Sequence, residues 1–129
     1  MSKNQPEYQL QVAVCEYLRA QYPNVFFLSD TVASVKLTIP QGARNKRIQC
    51  QKFKCPDLMI FEPRNGFHGL FFELKAQSPF KKDGGLKKDE HLEAQQLTLD
   101  NLCSKGYLAS FQWDIDEIKS LIDWYLKES

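Results

Sequence analysis

Two short apolar runs joined by turn residues stand out in the hydrophobic pattern at the centre of the chain. Leu58–Phe61 and Leu70–Leu74 flank Glu62–Gly69, a segment that contains Pro, Asn and Gly. This pattern predicts a β-hairpin. Because the start of one antiparallel strand lies beside the end of its partner, the hairpin is expected to bring Asp57 close to Glu73.

Alternation along the second strand places acidic and basic groups together, since side chains two residues apart share a face. One face is expected to carry Leu70, Phe72 and Leu74, and the other Phe71, Glu73 and Lys75. Two neighbouring carboxylates repel each other unless a cation or a proton lies between them. Carboxylate and carbonyl oxygens suit a hard divalent ion such as Mg2+. The pattern therefore predicts an acidic metal site, with a lysine suited to orienting a water or stabilising charge on a phosphate.

Helical spacing of apolar residues and the positions of turn residues predict the remaining elements. Asp114 is expected to cap the last helix and Gly106 to end the preceding one. The predicted elements are a helix at 6–22, a strand at 25–28, a strand or irregular loop at 32–39, the hairpin, a charged loop at 77–90, a helix at 89–105, a strand at 107–112 and a helix at 114–126. The predicted order is α-β-β-β-α-β-α, around a short mixed sheet.

Composition fits a single globular domain spanning residues 1–129, with 43% hydrophobic and 26% charged residues. No apolar run approaches the roughly 20 residues that span a bilayer, and residues 1–9 lack a signal-peptide pattern. We therefore expect no membrane contact and a cytoplasmic location, which for a phage protein is the host cytoplasm. Cys15 and Cys103 are expected to be reduced core thiols, and Cys50 and Cys55 lack the partners of a zinc site.

Cations are concentrated in one stretch although the net charge is only +1. The stretch at 44–54 contains no acidic residue and leads directly to Asp57. Its basic residues are Arg44, Lys46, Arg47, Lys52 and Lys54. Cations beside a carboxylate site suit a nucleic-acid backbone that passes the metal. The alternative is a solvated loop with no partner.

The ordered set of these residues resembles a known family. Pro56-Asp57 followed by Glu73-Leu74-Lys75 resembles the PD-(D/E)XK nuclease signature. Addition of Gln95, eleven residues before Gly106, makes the pattern similar to the VRR-NUC branch of these nucleases. The resemblance extends from about residue 7 to residue 111.

The resemblance implies a fold, a reaction and a role for each residue. The fold would be α/β, with a restriction-endonuclease-like mixed sheet flanked by helices, and the reaction would be hydrolysis of DNA phosphodiester bonds. The implied ligands of Mg2+ or Mn2+ are Asp57, Glu73 and the main-chain carbonyl of Leu74. Lys75 would orient the attacking water, Gln95 would assist positioning, and Glu7 would complete the site. Gln11 is a candidate supporting partner, and Glu16 is the alternative acid on the first helix.

The implied substrate is DNA of a particular structure rather than a particular sequence. The chain has no helix-turn-helix or zinc-finger pattern with which to read bases. A symmetric homodimer with two active sites would be able to cut both strands of a branched junction. A Holliday-junction resolvase is therefore the first hypothesis. The alternatives are a nickase, a flap nuclease or a single-strand nuclease of the same fold, and a non-catalytic DNA-binding module. His68, in the hairpin turn, is expected to be a surface residue or at most a DNA contact. His91, one helical turn before Gln95, is expected to have no role, and the alternative is that it faces the same cleft as Gln95.

Overall fold

Four helices and four strands form the part of the chain that the computed structural model describes, residues 5–30 and 36–127. The elements are α1 (Gln5–Gln21), β1 (Phe27–Ser29), α2 (Ile39–Ile48), β2 (Leu58–Ile60), β3 (Leu70–Leu74), α3 (Glu90–Ser104), β4 (Leu108–Gln112) and α4 (Ile115–Leu126). The expected order of strands and flanking helices is confirmed, and α2 is an addition to it. None of these helices is both long and apolar enough to cross a membrane.

The four strands form one mixed sheet in the order β1-β2-β3-β4. The first two pairings are antiparallel, and β3 pairs with β4 in parallel. Within the hairpin, Leu58 lies opposite Phe72 and Met59 lies opposite Phe71. Extending this register by one residue places Asp57 opposite Glu73.

Both faces of the sheet are covered, which explains why β2 and β3 are apolar on both sides. One face packs against α1 and α4, and the other packs against α3. The first core contains Leu58, Ile60, Leu70, Phe72 and Leu74 of the sheet with Val14, Leu18, Ile118, Ile122 and Tyr125 of the helices. The second contains Met59, Phe71, Ala109 and Phe111 with Leu99 and Leu102 of α3. The predicted division of the β3 side chains between two faces is therefore confirmed.

Helix α2 forms where no helix was predicted, between the strand or loop expected at 32–39 and the end of the basic stretch at 44–54. Thr38 starts the helix with a capping box: its hydroxyl accepts a hydrogen bond from the Gln41 amide at 3.2 Å, and the Gln41 side chain accepts one from the Thr38 amide at 2.9 Å. Pro40 is tolerated because the first turn of a helix has unpaired amides in any case. The capping box satisfies two end groups and offsets the effect of Gly42. Residues 32–35 of the predicted strand or loop lie outside the described residues.

The charged loop at 77–90 has little regular structure, as expected. It forms no helix or named strand before residue 90, but Phe80 and Leu86 pair in an isolated β-bridge.

The expectation that Cys103 is a core thiol was wrong. Cys103 is exposed, and its thiol donates a hydrogen bond to the Ala109 carbonyl at 3.3 Å, whereas Cys15 is buried as expected. Cys103 lies one residue beyond Leu102, and so just off the buried stripe of α3.

A cluster of two tyrosines and one carboxylate joins α1 to α4. The hydroxyls of Tyr17 and Tyr22 both donate to Oδ1 of Asp123 at 2.6 Å. Partial burial raises the pKa of Asp123, but the two hydrogen bonds and the charge of Lys127 outweigh it and lower the pKa below its usual value. The bond to Asp123 is also the main cause that raises the pKa of Tyr17 to about 12.

Replacing Asp123 is expected to destabilise the fold. Asp123→Ala leaves two hydroxyls without their acceptor, so the free energy of unfolding should fall by about 1–3 kcal/mol. The deficit should be present above pH 4 and should shrink as pH falls through the lowered pKa of Asp123, because the wild type then loses the same interaction. Urea unfolding between pH 3 and pH 7 measures both effects. Asp116→Ala, an exposed acid on the same helix, is the control, and an equal loss in both variants would contradict the prediction.

Candidate functional site

The antiparallel start of β2 and end of β3 bring two carboxyl groups into contact. Oδ2 of Asp57 accepts a hydrogen bond from the Leu74 amide at 2.8 Å, which fixes the carboxyl group across the hairpin. The side chains of Asp57 and Glu73 are also hydrogen-bonded to each other. Glu73 is buried, with 5% of its surface exposed, and Asp57 is half-buried. The juxtaposition expected from the hairpin is present.

Burial and mutual repulsion keep a proton on this pair. Burial, followed by the charge of Asp57 and the hydrogen bond with it, raises the pKa of Glu73 to about 10 against the opposing effect of Lys75. Burial also raises the pKa of Asp57, although its hydrogen bonds with Glu73 and the Leu74 amide act in the opposite direction. A protonated Glu73 that donates a hydrogen bond to an ionised Asp57 accounts for the effect of this bond on each group, since the bond raises the pKa of Glu73 and lowers the pKa of Asp57. A cation between the groups would take the place of the proton.

Lys75 lies two residues beyond Glu73 and on the same face of the sheet. Its ammonium group is 5.8 Å from the centre of the Phe111 ring, and its charge lowers the pKa values of Asp57 and Glu73. The main-chain amide of Lys75 donates to the Gln112 carbonyl at 2.9 Å, which continues the pairing with β4 beyond the end of β3. The lysine is therefore held beside the carboxyl pair by strand pairing and a ring contact.

Helix α3 contributes an amide to the same cavity. Gln95 is 6% exposed, and among the described residues its Oε1 atom is the one buried side-chain oxygen or nitrogen without a hydrogen-bond partner. Asp57, Glu73 and Gln95 line a common cavity of about 420 Å3. An orphaned buried oxygen is costly, and a hard cation or a water beside the carboxyl groups would give it a partner.

Helix α1 supports the site from the other side of the sheet. The Gln11 amide donates to Oγ of Ser29 at 2.6 Å and to the carbonyls of Asp30 and Asp57 at 3.1 and 3.2 Å. Glu7 lines a second cavity of about 230 Å3 together with Lys75, and its charge raises the pKa of Glu73. Glu16 is exposed and lines neither cavity.

The carboxyl pair can hold a hard divalent ion only together with ligands that are not ionisable side chains. Within residues 5–30 and 36–127, no group of three or more His, Cys, Asp and Glu is arranged to hold a metal. The carboxyl pair would have to be completed by oxygens such as Oε1 of Gln95 or the Leu74 carbonyl, both suited to Mg2+ or Mn2+. Burial raises the pKa of Cys55 to about 11, helped by the charges of Asp30, Glu73 and Asp57, so its thiol stays protonated.

The overall arrangement can be compared with solved structures at this point. A protein named "VRR_NUC domain protein" superposes with a TM-score of 0.62, covering 93% of this chain and 87% of that chain at 23% sequence identity. The chain has the VRR-NUC fold. No family model matches the sequence, and no curated protein matches it. The likeness is therefore one of backbone fold.

The VRR-NUC fold brings some predicted site residues together and leaves others apart. Asp57, Glu73 and Gln95 share one cavity, and Lys54 at the end of the basic stretch lines it too. Arg44, Lys46 and Arg47 are exposed on α2, and Lys52 is exposed in the segment that follows. His68 is exposed at the far end of the hairpin, where its ring lies 5.6 Å from that of Tyr107.

Several residues that line the main cavity were not singled out in the sequence. Asn45 comes from α2, Gln49 caps the end of that helix, Phe53 follows, and Asp30 comes after β1. His91, for which the sequence left open a place in the cleft of Gln95, lines the cavity as well. The signal for this segment was the capping-box pattern at Thr38, which predicts that a helix begins there.

Divalent metal is expected to stabilise the fold through the carboxyl pair. An ion at 100 times its dissociation constant stabilises a protein by about 2.7 kcal/mol when it binds only the native state. Adding Mn2+ or Mg2+ to EDTA-treated protein should therefore raise the melting temperature, and Asp57→Asn should abolish the increase. Asp116→Asn should keep it. An increase that survives in Asp57→Asn would mean that the metal binds elsewhere.

Proposed function

We propose that this protein is a metal-dependent DNA endonuclease that selects branched DNA, in the manner of a Holliday-junction resolvase. The observation that carries the proposal is the hydrogen-bonded Asp57–Glu73 pair with Lys75 beside it, at the ends of the two central strands of a sheet with the VRR-NUC fold. Two carboxylates and a lysine at a strand end form a constellation suited to phosphodiester hydrolysis. The solved relative's name refers to a nuclease domain, which agrees with this reading.

The metal would be Mg2+ or Mn2+, held by Asp57, Glu73 and the Leu74 carbonyl. When bound, such an ion supplies a Lewis acid for the phosphoryl oxygen and lowers the pKa of a bound water. Lys75 would orient the attacking water and stabilise the charge that develops on the phosphate. Gln95 would position the same groups through its free oxygen. Glu7 would set the local charge from the Lys75 side, where the two share a cavity.

The basic stretch would bind the DNA backbone. Arg44, Lys46 and Arg47 are exposed on a helix that also contributes to the wall of the active-site cavity, and Lys54 lines that cavity. Cations placed in this way would hold phosphates on either side of the bond that is cut. A symmetric homodimer would present two such sites, one for each strand of a junction.

The salt dependence of binding measures the backbone contacts. Each of Arg44→Ala, Lys46→Ala and Arg47→Ala is expected to reduce the slope of log K against log salt by about 1 for each phosphate contact removed. DNA affinity at several salt concentrations provides this slope. Lys105→Ala, an exposed lysine at the end of α3, should leave the slope unchanged. An unchanged slope in all three α2 variants would exclude this helix as the backbone contact.

The experiment that tests the function is cleavage of labelled DNA structures of one sequence. A four-way junction, a flap, a nicked duplex and a linear duplex would be incubated with Mg2+, Mn2+ or EDTA and with wild type or Asp57→Ala. Paired, metal-dependent cuts confined to the junction, lost in the variant, would support a resolvase. Preference for the flap or the nicked duplex would support a nuclease of that specificity. Equal cutting of all four would exclude structure selectivity, and binding without cutting under every condition would favour a DNA-binding module.

A further inference from the structure

The active-site cavity is larger than a metal site requires. Its volume is about 420 Å3, whereas a cation with six waters occupies roughly 200 Å3 at about 30 Å3 per water. Cavities of roughly 300–1,000 Å3 accommodate small organic groups. The additional space lies between the end of α2 and the start of α3, beyond the carboxyl pair, because residue 45 of α2, the capping residue 49 and residues 91 and 95 of α3 form its walls.

The wall provided by α2 presents a donor and an acceptor side by side. Asn45 and Gln49 are one helical turn apart, and the Gln49 amide nitrogen donates to Oδ1 of Asn45 at 3.0 Å. This bond leaves the amide nitrogen of Asn45 as a donor and the amide oxygen of Gln49 as an acceptor. A paired donor and acceptor is the pattern with which amide side chains recognise the edge of a nucleobase.

An aromatic ring and a cation complete the lining. Phe53 is half-buried, packs against the second core and lines the cavity, so one part of its ring is anchored while another borders the open space. A base stacks on such a ring regardless of its identity. Lys54 lines the same cavity and supplies a positive charge for the attached phosphate.

We propose that this cavity binds one unpaired nucleotide next to the phosphodiester that is cut, with the base on Phe53 and its edge against Asn45 and Gln49. A base inside a duplex is stacked on both faces and offers only its groove edges, so it cannot occupy a cavity beside the carboxyl pair. The nucleotide must therefore be unpaired, as it is at a branch, a flap or a single strand. This inference rests on the proposed nuclease function and specifies what the site selects within branched DNA.

The test measures binding to a forked DNA with Ca2+ in place of Mg2+, a cation with the same preference for oxygen ligands. One fork has a base at the first unpaired nucleotide, and its matched partner is abasic there. Wild type should bind the base-containing fork about 5- to 100-fold more tightly, as expected for one stacked base. Phe53→Leu, which keeps the apolar bulk in the core, and Gln49→Ala should each lose most of that preference.

Gln51→Ala is the matched control, because Gln51 is an exposed glutamine near Gln49 that does not line the cavity. It should retain the full preference. Equal binding of the two forks by wild type, binding of neither fork, or full preference in Phe53→Leu and Gln49→Ala would each overturn the proposal.

Cleavage of the same forks with Mn2+ separates this inference from the nuclease proposal. Cutting without any effect of the missing base would contradict the nucleotide site and leave the nuclease intact. A clear base preference in binding, without any cutting, would support the nucleotide site and contradict the nuclease.

Discussion

A Glu73→Gln variant is expected to lose cleavage by about 1,000-fold or more while becoming more stable than wild type without metal. The stability gain should be about 1–3 kcal/mol near pH 8. The loss follows because an amide oxygen is uncharged, so the variant keeps only one carboxylate to balance the charge of a divalent ion. The gain follows because an amide needs no ionisation in a buried position and can still donate a hydrogen bond to Asp57.

The direction of the expected stability change follows from how the stability of the wild type depends on pH. The pKa of Glu73 is raised from 4.5 to about 10 in the folded protein, chiefly by burial. The native state therefore holds a proton that the unfolded chain releases above about pH 4.5. Wild type without metal should lose stability as pH rises from 4.5 towards 10, and Glu73→Gln should lack this decline.

Urea unfolding in EDTA between pH 5 and pH 9 measures the difference between wild type and Glu73→Gln. Glu16→Gln is the matched control, because Glu16 is exposed on α1 and lines neither cavity. It should follow the wild type in both stability and cleavage. A Glu73→Gln variant with wild-type stability across this range would mean that the Glu73 carboxyl carries no burial penalty.

Lys75→Ala is expected to slow cleavage by about 100- to 1,000-fold with little change in DNA affinity. The ammonium group acts on the charge that develops in the transition state, so its removal should lower kcat more than it raises KM. Lys75→Arg should recover only part of the rate, because a guanidinium has a different shape and hydrogen-bonding geometry.

Single-turnover cleavage at saturating enzyme separates the chemical step from binding in these variants. Lys105 caps the end of α3, at the opposite end of the sheet from the carboxyl pair. The Lys105→Ala variant should therefore cleave like the wild type. Unfolding curves show whether Lys75→Ala remains folded. If Lys75→Ala cut at the wild-type rate, or lost only affinity, the lysine would have no role in the chemistry.

The hairpin and its carboxyl pair were predictable because local rules determine them. Alternation along residues 70–75 separated the core side chains from Glu73 and Lys75, and antiparallel pairing placed Asp57 opposite Glu73. The ends of the elements were less certain. Strand β1 is Phe27–Ser29 rather than 25–28, since hydrogen bonds to β2, rather than local apolar character, fix its limits.

Helix α2 and the cavity wall it forms were not predictable in the same way. No residue of α2 is buried, so the helix leaves almost no hydrophobic signal in the sequence. The capping-box pattern at Thr38 and Gln41 was the one sequence signal for this helix, and it marks only the first turn. Asn45 and Gln49 became candidates only once α2 and α3 were seen on opposite sides of the same cavity.

The turn between β2 and β3 is fastened to the end of α4, and this has a consequence for synthesis. Arg64 donates to the Leu126 carbonyl at 2.8 Å, Asn65 donates to the Tyr125 carbonyl at 3.2 Å, and the Tyr125 hydroxyl donates to the Glu62 carbonyl at 2.7 Å. The hairpin that carries Asp57 and Glu73 is therefore fastened by a helix that follows it in the chain and is synthesised later. During synthesis the turn of the hairpin lacks these hydrogen bonds until α4 has emerged from the ribosome, so we expect the hairpin to be held less firmly in the nascent chain.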